Sequence, residues 1–376
     1  MQNVLFIFKD LPWYHSYILN KFSCSYHFNE YIINNNLNKT SQGISEEINS
    51  LIKEKKIEII FFDFDYTSII DKFFVNKIIC KKKILVSFDP HENYKKIQDS
   101  LEYFSHLLIA EPEYAEKLNL LNQNCFYFPL EANEKIFFNK KTKKNIDVLF
   151  FGELKADRKI FIEKIKKLNI NFHSHINSRE TLDDNALADL INRSKIVINF
   201  SKGVNKYEKD EYYQFKGRIL ISGMCGTLCL SEYSKGQDLI FKNNYPTFKN
   251  SEEMITIIKS LLNNEKNLNI LANNFFSECK MFSDTEYFPK IVKFLSLENN
   301  KNILDKDDKI NYISIKNRIK IFSKKSTSKI LLKETANIFK NLKNNLSLKN
   351  MYLIIYLSVI FLPFWLQSKI KNNKKK

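Results

Sequence analysis

The chain has 376 residues, 44% of them hydrophobic and 14% aromatic, which is enough apolar material for two globular domains and excludes global disorder. Of its net charge of +17, residues 301–376 carry +14, with 18 Lys+Arg against 4 Asp+Glu. A basic tail on a nearly neutral body argues against a nucleic-acid-binding core.

The first residues, MQNVLFIFKDLPW, contain an apolar run with no charge before it and no small-residue cleavage site, so they read as a first strand and not as a signal peptide. Residues 3–8, 57–64, 84–88, 106–110 and 125–128 are short, bounded apolar runs of the kind found in parallel strands buried on both faces. Residues 112–121 supply a crossover helix with Pro112 in its first turn. After a Lys-rich break at 139–145 the pattern restarts with a strand over 146–153. A helix follows with Ile160, Phe161, Ile165 and Leu168 on one side, then a strand over 170–176 and a helix with Leu187, Leu190 and Ile191 inward. A strand over 195–201, a helix closed by Gly226 and a strand over 227–232 come next. Met254, Ile257, Ile258, Leu261 and Leu262 then mark a helix with acids in its first turn.

This alternation predicts an α/β protein made of two Rossmann-like, doubly wound domains facing a cleft, residues 1–138 and 146–298. A basic extension, 299–376, follows. Its residues 351–367 carry no charge; at ~1.5 Å per residue they span about 25 Å, just short of a bilayer core, and Pro363 interrupts them. Lysines on both flanks with Tyr352, Tyr356 and Trp365 suit a membrane-surface or shallow anchor, the alternative being a helix docked on the protein. The expected location is the cytoplasm, at the inner face of a membrane. The six cysteines, Cys24, Cys80, Cys125, Cys225, Cys229 and Cys279, form no CxxC pair and read as reduced, mostly buried thiols without a metal role.

The most conspicuous motif is Asp63-Phe64-Asp65-Tyr66-Thr67, at the end of an apolar run. It resembles the nucleophile strand of haloacid-dehalogenase-type phosphatases. That chemistry needs a further acidic pair at a strand end, whereas the Asp-Asp pairs here, 183–184 and 307–308, fall at a helix start and in the polar tail, and Tyr66 replaces the usual Gly. An Asp-x-Asp also holds the metal of one class of glycosyltransferase, but only about sixty residues precede it, too few for a nucleotide-binding unit, and a whole βα domain follows. The third reading is a strand end carrying acids at the top of a sheet.

The second half is more specific. Asn199-Phe200-Ser201 ends a strand, Arg218 to Gly226 forms a helix, and Ser231-Glu232 ends the next strand; DVLFFGELKADR lies upstream and FYFPLEANEKIF between the domains. In this arrangement the chain resembles GT-B glycosyltransferases of the group related to spore-maturation proteins of the CgeB type, over roughly residues 55–300. The resemblance implies sugar transfer from a nucleotide-sugar donor without metal or other cofactor, with a glycan or lipid-linked acceptor. It departs from the group at Ile221, where the helix usually carries a Glu that contacts ribose or sugar. That leaves open altered donor choice, a role moved to Glu232, or lost activity.

Charge building on a departing nucleoside diphosphate needs fixed cations. Lys216, Gly217 and Arg218 open a helix, Arg218 can grip phosphate through two N–H groups, and Arg158 lies just past Gly152. Ser201 ends its strand nearby, and Glu232 is placed to accept from ribose hydroxyls. On the acceptor side Asp89 and His91 follow a strand, and either is a candidate base; a turn-capping Asp-Pro pair is the alternative. His173 and His175 share a strand face and read as structural. Two rival functions stay open: a phosphate-ester hydrolase using Asp63 and Asp65, and a GT-B-like binding protein without turnover.

Overall fold

The computed structural model describes residues 1–297, except 11, 13, 65–69, 122–123, 130–132, 155, 177–181 and 205–210, together with Glu334. The chain forms two compact units. One comprises residues 1–15, 22–108 and 299–376, the other residues 16–21 and 109–298.

Chain order begins β1 (Gln2–Phe8), α1 (His15–Ser23), β2 (Tyr26–Ile32), α2 (Ser41–Lys55), β3 (Ile59–Asp63), α3 (Lys72–Asn76), β4 (Lys82–Ser87), α4 (Pro90–Gln98), β5 (His106–Ile109), α5 (Pro112–Leu120) and β6 (Cys125–Tyr127). The first sheet has the order β2-β1-β3-β4-β5-β6, so strand order reverses between β1 and β3. The β1–β2, β1–β3 and β3–β4 pairs are parallel. Val4 to Phe8, Ile60 to Phe62 and Ile84 to Val86 are fully buried, which is why these strands read as unbroken apolar runs. The ring of Phe6 stacks on Phe61 at 4.5 Å, with Phe22 edge-on at 4.9 Å. β2 was not legible as a strand: YHFNEYI is half polar because it forms the sheet edge. At the start of α2, Glu334 accepts from the Ser41 N–H at 2.9 Å and from its hydroxyl at 2.6 Å.

The second unit continues with β7 (Ile146–Gly152), α6 (Ala156–Lys166), β8 (Phe172–Ile176), α7 (Asp184–Asn192), β9 (Ser194–Asn199), β10 (Lys202–Val204), β11 (Glu211–Tyr213), α8 (Arg218–Met224) and β12 (Leu228–Glu232). It ends with α9 (Lys235–Ile240), β13 (Thr247–Phe248), α10 (Ser251–Asn263), α11 (Glu265–Lys280) and α12 (Asp284–Ser296). Its five-stranded sheet, order β13-β12-β9-β7-β8, is parallel throughout and reverses between β7 and β9. Asp183 and Asn250 cap α7 and α10 by accepting N–H groups of Ala186 and Glu253. Gly223 lets α8 meet α11, because a Cβ there would collide with Cys279 and Phe275.

One helix face differs from expectation. In α6 the buried side chains are Arg158, Ile162 and Ile165, while Ile160 is 57% exposed. The spacing 158, 162, 165 follows the helical repeat once a buried arginine is admitted to the inner face. The β10–β11 hairpin also escaped the pattern, as its residues are polar and each strand is three residues long.

Candidate functional site

Open parallel sheets bind ligands outside the carboxyl ends of their strands, where strand order reverses. In the second unit that point lies between β7 and β9. β7 ends at Gly152, whose φ of 122° falls in the region that favours glycine. A Cβ at Gly152 would come within 2.6 Å of Arg218 Nη2, so the missing side chain makes room for this guanidinium. Arg218 is the first residue of α8, and its Cζ lies 5.2 Å from the centroid of the Phe151 ring.

Across the reversal, β9 runs into a buried polar network. Asn199 Nδ2 donates to Ser231 Oγ at 2.8 Å and to Ser201 Oγ at 3.2 Å, and the Ser201 hydroxyl donates to the Glu232 carbonyl at 2.7 Å. Gln237 Nε2 donates to Ser231 Oγ at 2.9 Å and to the Glu232 carbonyl at 3.1 Å. The network ties the ends of β9 and β12 to α9, and every member is buried. The Glu232 carboxylate accepts the Lys202 N–H at 2.8 Å. Burial pushes the Glu232 pKa up, opposed by that N–H and by the charge of Arg158.

Arg158 is 4% exposed. Its Nη1 donates to the Glu153 carbonyl at 2.9 Å and its Nη2 to the Lys202 carbonyl at 3.2 Å. Burial lowers its pKa, offset chiefly by the charges of Asp157, Glu232 and Glu153. It thus joins the turn after β7 to the root of the β10–β11 hairpin. Lys216 and Gly217 lead into α8, and Gly217 has φ −55° and ψ −27°, ordinary helical values that do not themselves require glycine. Ile221 is buried in the apolar core of the unit.

The structure therefore brings Gly152 together with Arg218, and Arg158, Ser201 and Glu232 together around Lys202. Asp89 and His91 belong to the first unit. Asp89 precedes α4 with its side chain 63% exposed, and its Oδ1 lies 3.7 Å from Nε2 of the buried His91 ring. Asp63 ends β3 at the reversal point of the first sheet, is buried, and accepts the Tyr14 hydroxyl at 2.8 Å. Asp65 lies outside the described residues. His173 and His175 stand on β8 opposite Leu149 and Phe151. Among the described residues no cluster of three His, Cys, Asp or Glu could hold a metal ion. Cys125, Cys225, Cys229 and Cys279 are buried thiols, and burial pushes those of Cys225 and Cys229 up to about 12.

Sequence reasoning missed Glu111, Ser231 as a network member, and Gln237. Glu111 Oε2 accepts the N–H of Phe215, three residues before Arg218, at 2.8 Å. In the sequence it stands before a helix-opening proline, where an acid reads as solvated. The signal available was its position two residues after a fully buried strand.

Residues 145–296 match a family model described as glycosyl transferase-like. No curated protein matches the chain. Among solved structures, the chain is similar to Anabaena Alr3699/HepE in complex with UDP and glucose, at 9% identity over 79% of this chain and 100% of that one, with a TM-score of 0.57. It is also similar to a sucrose-phosphate synthase from Thermosynechococcus elongatus (10% identity, 78% and 98% covered, TM-score 0.56). A glycosyltransferase from Rickettsia africae ESF-5 matches at 12% identity, with 81% and 100% covered and a TM-score of 0.51. The fold is thereby shown to be α/β with parallel sheets, of the GT-B class, and the matched family segment spans the whole second sheet and its helices. Among the described residues no helix is long and apolar enough to cross a membrane. The apolar run 351–367 lies outside them.

Proposed function

We propose that the chain is a glycosyltransferase that moves a sugar from a nucleotide-sugar donor to a glycan or lipid-linked acceptor without a metal ion. The observation that carries this reading is Arg218, seated over Gly152 at the reversal point of the second sheet, inside the segment that matches the glycosyl transferase-like family. In such a transfer the bond from the anomeric carbon to the diphosphate oxygen breaks, and a bond from that carbon to the acceptor oxygen forms. The acceptor proton goes to a base, and negative charge collects on the departing nucleoside diphosphate. A guanidinium with paired N–H donors suits that charge.

In this reading Arg218 and Lys216 meet the diphosphate. Arg158, engaged by two carbonyls, acts as a fixed positive charge behind them. Glu232 takes ribose hydroxyls through the oxygen not used by Lys202, and Ser201 and Gly152 shape the floor. Asp89 and His91 are the candidate bases. The polybasic extension and the uncharged run 351–367 support a reading in which the work is done at the inner face of a membrane. Uridine diphosphate is the first donor nucleotide to test, since the Anabaena structure holds it.

Thermal unfolding of the full chain with UDP, GDP, ADP, dTDP and CMP, each with and without Mg²⁺ or Mn²⁺, tests the reading. A metal-independent rise with one nucleotide is expected. No rise with any of them, or stabilisation by Mg²⁺ alone, would contradict it. One observation favours a second reading: Ile221, buried where the resembling group carries a Glu, removes a donor contact. Nucleotide binding without sugar release, across donors and acceptors, would mark a binding protein without turnover.

A further inference from the structure

We infer, resting on the donor-site reading above, that Glu111 is a positioning residue of that site: its buried carboxyl fixes the loop that delivers Lys216 and Arg218. The loop is held at two consecutive N–H groups. Gln214 donates to the Ser201 carbonyl at 3.0 Å, and Phe215 donates to Glu111 Oε2 at 2.8 Å. Lys216, Gly217 and Arg218 follow directly.

The other side of the carboxyl is equally fixed. A Cβ on Gly236 would come within 2.9 Å of Glu111 Oε1 and 2.6 Å of Phe215 Cβ, so carboxyl, ring and glycine backbone fill one space. Glu111 is 1% exposed, and its Oε1 makes no hydrogen bond among the described residues. A buried carboxylate with one unbonded oxygen is a costly arrangement, and the neutral acid suits it far better. Consistent with this, burial pushes the Glu111 pKa up to about 8, the Phe215 N–H pulling against it and Glu113 adding to it.

The charges around it are otherwise balanced. Glu113 pairs with Lys117 within α5 at 2.9 Å, and Glu116 of α5 pairs with Lys235 of α9 at 2.8 Å. Lys216 and Arg218 lie just beyond Phe215 on the segment that Glu111 holds. A neutral Glu111 supports that segment without opposing the cations. An ionised one sets a negative charge at the base of a loop meant for an anion.

The test uses the full chain, as wild type, Glu111→Gln and Glu111→Ala, with two readouts. Hydrogen exchange of peptides covering 214–219 reports the loop alone. Gln keeps a neutral acceptor for Phe215 and should leave protection intact, whereas Ala should lower it by about tenfold, the equivalent of one lost buried hydrogen bond. Gly236→Ala, which intrudes on Oε1 from the opposite side, should behave like Glu111→Ala. The second readout is UDP affinity between about pH 6 and pH 9. Wild type should weaken by several-fold as pH passes about 8, while Glu111→Gln stays flat and tight. Unchanged exchange in Glu111→Ala would overturn the positioning role. Glu111→Gln as damaging as Ala, or as pH-sensitive as wild type, would overturn the neutral-acid role. Loss of protection in Ala without UDP binding by wild type at any pH would leave Glu111 fixing the loop and refute the donor reading instead.

Discussion

The two sheets reverse strand order in the same way, one between β1 and β3 and the other between β7 and β9, yet they present opposite chemistry at that point. The first ends in Asp63, a buried acid closed over by the Tyr14 hydroxyl. The second ends in Gly152, whose missing side chain admits the Arg218 guanidinium. Topology gives both sheets a reversal point; the residue at the strand end differs, an acid that accepts a neutral hydroxyl in one and a glycine that seats a guanidinium in the other. Asp63, from the motif most conspicuous in the sequence, stands at the first reversal point, and the guanidinium end is assembled from residues sixty-odd positions apart.

Substitutions at the two ends sharpen this contrast. The largest effect is expected for Arg218→Ala, which should weaken UDP binding at least about thirtyfold, as charge-assisted phosphate contacts are worth roughly 2–3 kcal/mol; titration calorimetry in the absence of metal checks it. Gly152→Ala should lower stability by about 2 kcal/mol and weaken UDP about tenfold, because it strains a φ of 122° and displaces Arg218 together. Denaturant unfolding and the same titration read both parts.

A pH effect acts on stability separately from these substitutions. Folded Glu111 keeps its proton up to about 8, while the unfolded chain releases it near 4.5. Between those values the folded state binds more protons, so unfolding free energy falls as pH rises, by at most about 1.4 kcal/mol per unit, and levels off above 8. Urea unfolding of wild type minus Glu111→Gln should isolate that slope; parallel profiles would remove Glu111 from the account. Ser201→Ala should cost about 1 kcal/mol by breaking the donor to the Glu232 carbonyl, with an unchanged denaturant slope. The smallest effect is expected at the first reversal point. Asp63→Asn keeps an acceptor for Tyr14 and should cost less than about 1 kcal/mol while leaving UDP affinity unchanged.

What the sequence revealed follows from where physics writes a strong pattern. Strands such as β1, β7 and β9 were legible because burial on both faces leaves an unbroken apolar run at the centre of each. The helix at 251–263 was legible from its clean repeat and acidic first turn. β2 was not, being an edge strand, and the β10–β11 hairpin was hidden by its polarity. At the candidate site, Gly152 and Arg218 were both singled out, but their direct contact is a tertiary fact that no local spacing encodes. Arg158 was read as a second candidate cation for the diphosphate; that its hydrogen bonds go to the carbonyls of Glu153 and Lys202 is likewise a tertiary fact. Glu111 was missed because an acid ahead of proline at a helix start is usually solvated; only the approach of Phe215 and Gly236 buries it.

The account rests on the second reversal point being the nucleotide site and the first being closed. The most direct test is UDP titration of wild type, Arg218→Ala and Asp63→Asn side by side, with metal chelated. The account predicts binding by wild type and Asp63→Asn at equal affinity, and its loss in Arg218→Ala. Loss in Asp63→Asn with Arg218→Ala unaffected, or a requirement for Mg²⁺, would contradict it and return the chemistry to the Asp-x-Asp strand.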